Sequence, residues 1–93
     1  MNEDLMYVTS PIIVLREESD DWGILFDPDT GNIIGINPVG VAIWKLLDGT
    51  HSFNDILTRI ESEFECKVEQ IRDDIETFIN GLLEQRAIGL KAV

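Results

Sequence analysis

The sequence predicts an α+β domain: a three-stranded antiparallel N-terminal sheet followed by a three-helix, winged helix-turn-helix-like bundle. Two observations predict it. Between Pro11 and Ile36, short apolar runs alternate with polar, turn-rich segments; from Pro38 onward the apolar residues recur at helical spacing. At 93 residues the chain suits one domain, with 1–10 a flexible N-terminus, 11–36 a β-meander, 37–86 three helices and 87–93 a tail.

The first strand is read at Pro11-Ile12-Ile13-Val14-Leu15-Arg16, a β-branched run with proline where a missing N–H is tolerated. After the polar Glu17–Asp21 stretch comes Trp22-Gly23-Ile24-Leu25-Phe26, in which Trp22, Ile24 and Phe26 share a face. Asp27-Pro28-Asp29-Thr30-Gly31 combines proline's preset φ with side-chain capping and a glycine suited to positive φ, so the chain returns as an antiparallel strand through Asn32–Ile36. Asn37-Pro38 then reads as an N-cap followed by proline at the first helical position. The first helix carries Val41, Trp44 and Leu47 and stops at Asp48-Gly49. Ser52 opens the second with Asp55 three residues on, and Phe53, Ile56, Leu57, Ile60 and Phe64 follow at helical spacing. The third carries Val68, Ile71, Ile75, Phe78, Ile79, Leu82 and Leu83. Ala87–Leu90 reads as a small terminal strand or a docked tail. In a chain this small, Trp22, Phe26, Trp44, Phe53, Phe64 and Phe78 are all expected in the core.

Charge narrows the function. Eighteen acidic residues against seven basic ones give a formal net charge of −11, a field that repels phosphate and disfavours nucleic acid and anionic membranes as partners. A transcription regulator is the alternative that the helical bundle invites. Its recognition helix would carry Glu69, Asp73, Asp74, Glu76 and Glu84 against Arg72, the reverse of what a phosphate backbone requires. One cysteine excludes an internal disulfide and one histidine leaves little for zinc. The Met1–Ser10 opening lacks a basic and then apolar export signal, so a cytoplasmic location is expected.

Catalytic chemistry is hard to assemble from these residues. His51 falls in a polar stretch between helices and is expected as an exposed loop residue; Cys66 beside Lys67 is expected to pack. Asp27-x-Asp29-x-Gly31 begins like a calcium loop, but Pro38 stands where an acidic ligand belongs and Asn32 where glycine does. No phosphate-binding glycine loop is present. No catalytic residue, metal or cofactor is expected.

A binding edge is easier to find. Ile33, Ile34, Gly35 and Ile36 carry none of the charge or proline that usually blunts an edge strand. Such an edge either recruits a peptide as an added strand or is covered by a helix or a second protomer. Gly81, in the middle of a helix, suits close approach of another backbone or tight helix packing, of which packing is the simpler expectation.

Taken together, several stretches resemble the PqqD-like family, also called the RiPP recognition element. They are Leu25-Phe26-Asp27-Pro28-Asp29-Thr30-Gly31, Gly35-Ile36-Asn37-Pro38-Val39-Gly40, Ala42-Ile43-Trp44-Lys45-Leu46-Leu47-Asp48-Gly49, Ile56-Leu57 and Asp74-Ile75-x-x-Phe78-Ile79-x-x-Leu82. The ordered set spans Pro11 to Leu90, and its first half is similar to the small PqqD-like proteins of SynChlorMet cassettes. The resemblance implies a non-catalytic peptide chaperone. Such a protein holds the leader of a ribosomally made precursor, as in PQQ and RiPP biosynthesis, and presents it to a modifying enzyme, often a radical SAM maturase. It implies a leader lying against the third strand in a groove shared with the third helix. Carried onto this chain, the strand residues are Ile33, Ile34, Gly35 and Ile36, and the helix wall is Arg72, Ile75, Glu76 and Ile79. Periodicity leaves open which of the helix residues line a groove and which form the core. It also leaves open a monomer or a domain-swapped dimer exchanging sheet and bundle at Asn37.

Overall fold

The computed structural model describes residues 5–91. Among them the order is β1 (Met6–Thr9), β2 (Val14–Glu17), β3 (Gly23–Phe26), β4 (Ile33–Ile36), α1 (Pro38–Leu46), β5 (Asp48–Ser52), α2 (Phe53–Phe64), α3 (Val68–Glu84) and β6 (Ile88–Leu90). The α+β class and the three helices are as expected; there are, however, two three-stranded antiparallel sheets. One is the expected meander β2-β3-β4, except that its first strand starts at Val14 and not at Pro11, because Pro11 and Ile12 form a turn closed by Ile13 N–H donating to the Ser10 carbonyl at 3.2 Å. The other, ordered β5-β1-β6, gathers three strands far apart in sequence.

That second sheet corrects the expected flexible N-terminus where β1 forms; 1–4 of that stretch, and 92–93 of the expected tail, lie outside the described residues. Met6–Thr9, within the stretch expected to be flexible, is the central strand, and Tyr7 on it is 1% exposed. The apolar signal there is only a few residues long, and its strand character comes from distant partners. Thr9 N–H donates to the Leu47 carbonyl at 3.0 Å, Ser10 N–H to Ala87 at 2.8 Å, and Lys91 N–H to Met6 at 3.0 Å. β5 is equally cryptic, because Asp-Gly-Thr-His-Ser offers no alternating apolar residue. It pairs Met6 with Ser52 and Val8 with Asp48, so three residues of β5 bulge opposite Tyr7, with Gly49 at φ +82°. His51 is therefore a half-buried strand residue, not an exposed loop residue. The expected terminal strand forms as β6.

Local chemistry fixes the other boundaries. The Asp27 carboxylate accepts from Asp29 N–H at 2.9 Å, Gly31 sits at φ +76°, and Gly31 N–H donates to the Asp27 carbonyl at 2.7 Å, which folds β3 back onto β4. Asn37 caps α1 by accepting from Gly40 N–H at 2.8 Å. Ser52 and Asp55 form a reciprocal capping box, both bonds 3.1 Å, and Glu65 in the left-handed region ends α2.

The core lies between the helices and one face of each sheet. It holds Tyr7, Leu25, Ile36, Trp44, Phe53, Ile60, Ile75 and Ile79 among others. Trp44 and Phe53 are buried as expected, while Phe64 and Phe78 are half-buried. Trp22 and Phe26 are not core residues, being 52% and 38% exposed. Gly23 and Leu25 face inward instead. The cause is α1: a Cβ on Gly23 would stand 2.8 Å from Val41 Cγ2 and 3.0 Å from Leu15, so the close helix selects the glycine face of β3. The two-residue period then sends both aromatics outward. Across α1, Lys45 Nζ reaches Glu17 on β2 at 2.7 Å and ties the meander to the bundle.

Candidate functional site

β4 ends its sheet, with β3 as its one neighbouring strand. Pairing runs Gly23–Ile36, Ile24–Gly35, Leu25–Ile34 and Phe26–Ile33, and Asp27 N–H donates to the Asn32 carbonyl at 2.9 Å. An antiparallel ladder alternates, so that last bond sets the phase. Ile34 and Ile36 turn their N–H and C=O toward β3; Ile33 and Gly35 turn theirs outward. Among the described residues, no element of the chain's own covers that rim. Ile33 is 66% exposed, Gly35 is exposed, Ile34 is half-buried and Ile36 is 4% exposed.

On the inner side, one concavity opens at each end of this strand. A small cleft joins Gln85, past the end of α3, to Ile34 and Asn32 at the start of β4. Beyond the other end of β4, a groove of about 210 Å³ lies between the first turn of α1, at Asn37 and Gly40, and Ile71, Asp74 and Phe78 of α3. Gly40 lets α1 start close against the end of β4, since a Cβ there would stand 3.0 Å from Ile36 Cβ, while Phe78 Cζ at 3.4 Å would be in ordinary contact. Helical spacing puts Gly81 between Phe78 and Gln85 on that same side of α3. A Cβ on Gly81 would have nothing within 4 Å. Helix packing therefore does not account for this glycine, which costs about 1 kcal/mol relative to alanine in a helix interior; it leaves open space above the helix beside the groove.

A sequence profile described as Coenzyme PQQ synthesis protein D (PqqD) matches residues 23–88, from β3 to β6. The chain belongs to the PqqD family. Among solved structures, this PqqD-family chain is similar to "TbiB1 in Complex with the TbiA(beta) Leader Peptide". The two are 24% identical with a TM-score of 0.75, over 92% of this chain and 99% of that one, a likeness of fold. No curated protein matches the chain.

The residues carried over from the PqqD family divide between two places. Ile33, Ile34, Gly35 and Ile36 form β4, at the sheet edge. On α3, Ile75 and Ile79 are 2% and 0% exposed, Ile75 forming part of the groove floor and Ile79 belonging to the core. Arg72 and Glu76 lie on a different flank. The Arg72 guanidinium carbon stands 5.6 Å from the centroid of the Phe53 ring, and the Glu76 charge, after burial, helps hold the Tyr7 hydroxyl above its usual pKa. Sequence reasoning did not single out Asp74 and Phe78 as groove residues, nor Gly81 as space beside them. The spacing Asp74-x-x-x-Phe78-x-x-Gly81 is the signal that points to them: it sets a glycine on the same helix side as an aromatic residue and a carboxylate.

The remaining polar cluster is structural. Asp48 Oδ1 accepts from Thr50 Oγ1 at 2.6 Å and Thr50 N–H at 2.9 Å, and lies 3.0 Å from His51 Nδ1. The Thr50 hydroxyl, then its amide, and then His51 hold this carboxyl down at about 2. The cluster pins the β5 bulge. Cys66 Sγ lies 3.9 Å from the Ile60 carbonyl at the end of α2. Among the described residues, no group of three or more His, Cys, Asp or Glu side chains is placed to hold a metal, and no helix is long and apolar enough to cross a membrane.

Proposed function

We propose that this PqqD-family chain is a peptide-binding adaptor. It takes an extended segment of a ribosomally made precursor as a fourth strand on β4 and presents the remainder to a modifying enzyme. The observation that carries this reading is the uncharged rim at which Ile33 and Gly35 turn four backbone groups away from β3. The likeness in fold to TbiB1, whose structure is titled as a complex with a leader peptide, supports the same occupant. Backbone bonds give affinity here, while side chains of the guest alternate between the solvent face and the side bracketed by Gln85 and Phe78. The groove-lining helix residues in this reading are Ile71, Asp74, Ile75 and Phe78.

Tethering supplies the mechanism. A leader held on the adaptor, with the adaptor docked on an enzyme, raises the local concentration of the core peptide at the active site without any acid, base or metal from the adaptor. A radical SAM maturase is the enzyme proposed. The net charge of −11 favours basic residues in the leader or on the enzyme, and makes binding weaken as salt rises. A regulator role is disfavoured by the exposed Glu69, Asp73, Asp74 and Glu84 along α3.

The test is titration of the full chain with the synthetic leader of a precursor encoded beside its gene. Expected are amide shifts at Ile33, Gly35 and the groove side of α3, with a change in emission from the exposed Trp22. A saturating complex whose shifts avoid β4 would remove the strand-addition reading.

A further inference from the structure

Gly35 is a glycine that the folded chain does not itself require. Its backbone lies outside the positive-φ region occupied by Gly31 and Gly49, so conformation does not demand it. A Cβ built on it meets nothing within 4 Å, so packing does not demand it either. Glycine weakens a strand interior and often marks close approach of a ligand. This one lies at the open rim, turning its own N–H and C=O outward.

Its missing side chain leaves a notch in an apolar surface. The period of two places Gly35 on the solvent face, in the row Arg16–Ile24–Gly35, next to the row Val14–Phe26–Ile33. Ile24 is its lateral neighbour, Ile33 lies two residues along the strand, and Phe26 is diagonal to it. Val14, Trp22, Phe26 and Ile33 are 52%, 52%, 38% and 66% exposed, more apolar surface than a face turned only to water needs.

Resting on the strand-addition reading above, we infer that the guest carries an aromatic side chain opposite Gly35, laid across the notch onto Ile24 and between Ile33 and the exposed rings. The residue facing Gly35 on an added strand projects to this same face whether that strand is parallel or antiparallel. Strands are spaced about 4.8 Å apart, so a side chain must span that width to reach Ile24 over a glycine. A planar ring spans it and gains ring–ring contact with Trp22 and Phe26; valine or threonine leaves the notch open. The guest is then held from the solvent face as well as from the α3 side. A second copy of this chain is a poor occupant, because −11 would meet −11 across a face bordered by Glu17, Glu18, Asp20, Asp21, Asp27 and Asp29.

Panning a phage-displayed library of short random peptides against the full chain tests this. Binders that shift the Ile33 and Gly35 amides should share an aromatic residue whose ring gives nuclear Overhauser contacts to Ile24 and Ile33. Replacing that residue by alanine should cost about tenfold in affinity on the native chain, and about twofold or less on Gly35→Leu, whose side chain fills the notch. Gly35→Ala serves as the milder variant: it should melt no lower than the native chain and show an intermediate dependence on the ring. Edge-binding peptides with no aromatic preference, rings that contact Phe78 in place of Ile24, or an unchanged alanine penalty on Gly35→Leu would overturn the inference and leave strand addition standing. A lower melting temperature for Gly35→Ala would also overturn it, by giving the glycine a structural role. Failure to recover any peptide that shifts the β4 amides would overturn both readings.

Discussion

The two three-stranded sheets are built from strands of three to five residues and treat their edges in opposite ways. In the sheet β5-β1-β6, the edge strand β5 bulges, and Asp48, Thr50 and His51 use their polar side chains on one another. β6 has only three residues, and the central strand sinks Tyr7 into the core. The sheet β2-β3-β4 keeps a regular ladder of four paired positions at each junction, ends in the uncharged β4 and turns an apolar row to solvent. Bulges, short length and charge are the usual devices against unwanted pairing. The first sheet bulges and spends polar side chains at its edge; β4 is short but has neither bulge nor charge, which separates a sheet that holds the domain together from one that is left able to pair.

The largest expected effect breaks this contrast from the closed side. Tyr7→Ala should destabilise the chain by about 3–5 kcal/mol in chemical denaturation, as loss of a fully buried aromatic does. Ile33→Ala, on the open sheet, should stay within about 0.5 kcal/mol of native. Equal losses from the two would erase the distinction. Next, Gly35→Pro removes one outward N–H and puts a ring on the rim, so leader affinity measured by calorimetry should fall about tenfold. Asn37→Ala removes the cap that joins β4 to α1 and should cost about 1 kcal/mol of stability, read from the denaturation midpoint. The smallest effect is with acid. The folded Asp48 carboxyl lies at about 2 against an ordinary 3.8, so its contribution is complete above pH 4 and is lost as pH falls toward 2. Its side chain is 47% exposed, which keeps the stability change small. The Thr50 and His51 amides should titrate in that window while those of Ile33 and Gly35 stay still.

How far the sequence could be read follows the same division. The meander, its Asp27–Gly31 turn, the Asn37 and Ser52 caps and the open rim were legible because each rests on residues adjacent in the chain. β1 and β5 were not, since Tyr7 is held by elements as distant as β6, and β5 has no apolar alternation at all. The facing of β3 was misread for a related reason. Trp22 and Phe26 are the large aromatic residues at the two ends of that stretch, and size and apolar character alone put them inside. The contact of Gly23 with Val41 of α1, a tertiary fact, puts them outside. On α3 the period identified the buried stripe, while the concavity beside Ile71, Asp74 and Phe78 depends on where α1 packs against α3, which no spacing along one helix reveals.

The brevity of β4 has a kinetic consequence. With only two of its four residues turning their backbone groups outward, a docked chain is never far from an end, and it can peel away from either terminus one residue at a time. A carrier that must surrender its cargo after every round of modification is served by such a short zipper, where a long flat edge would hold on.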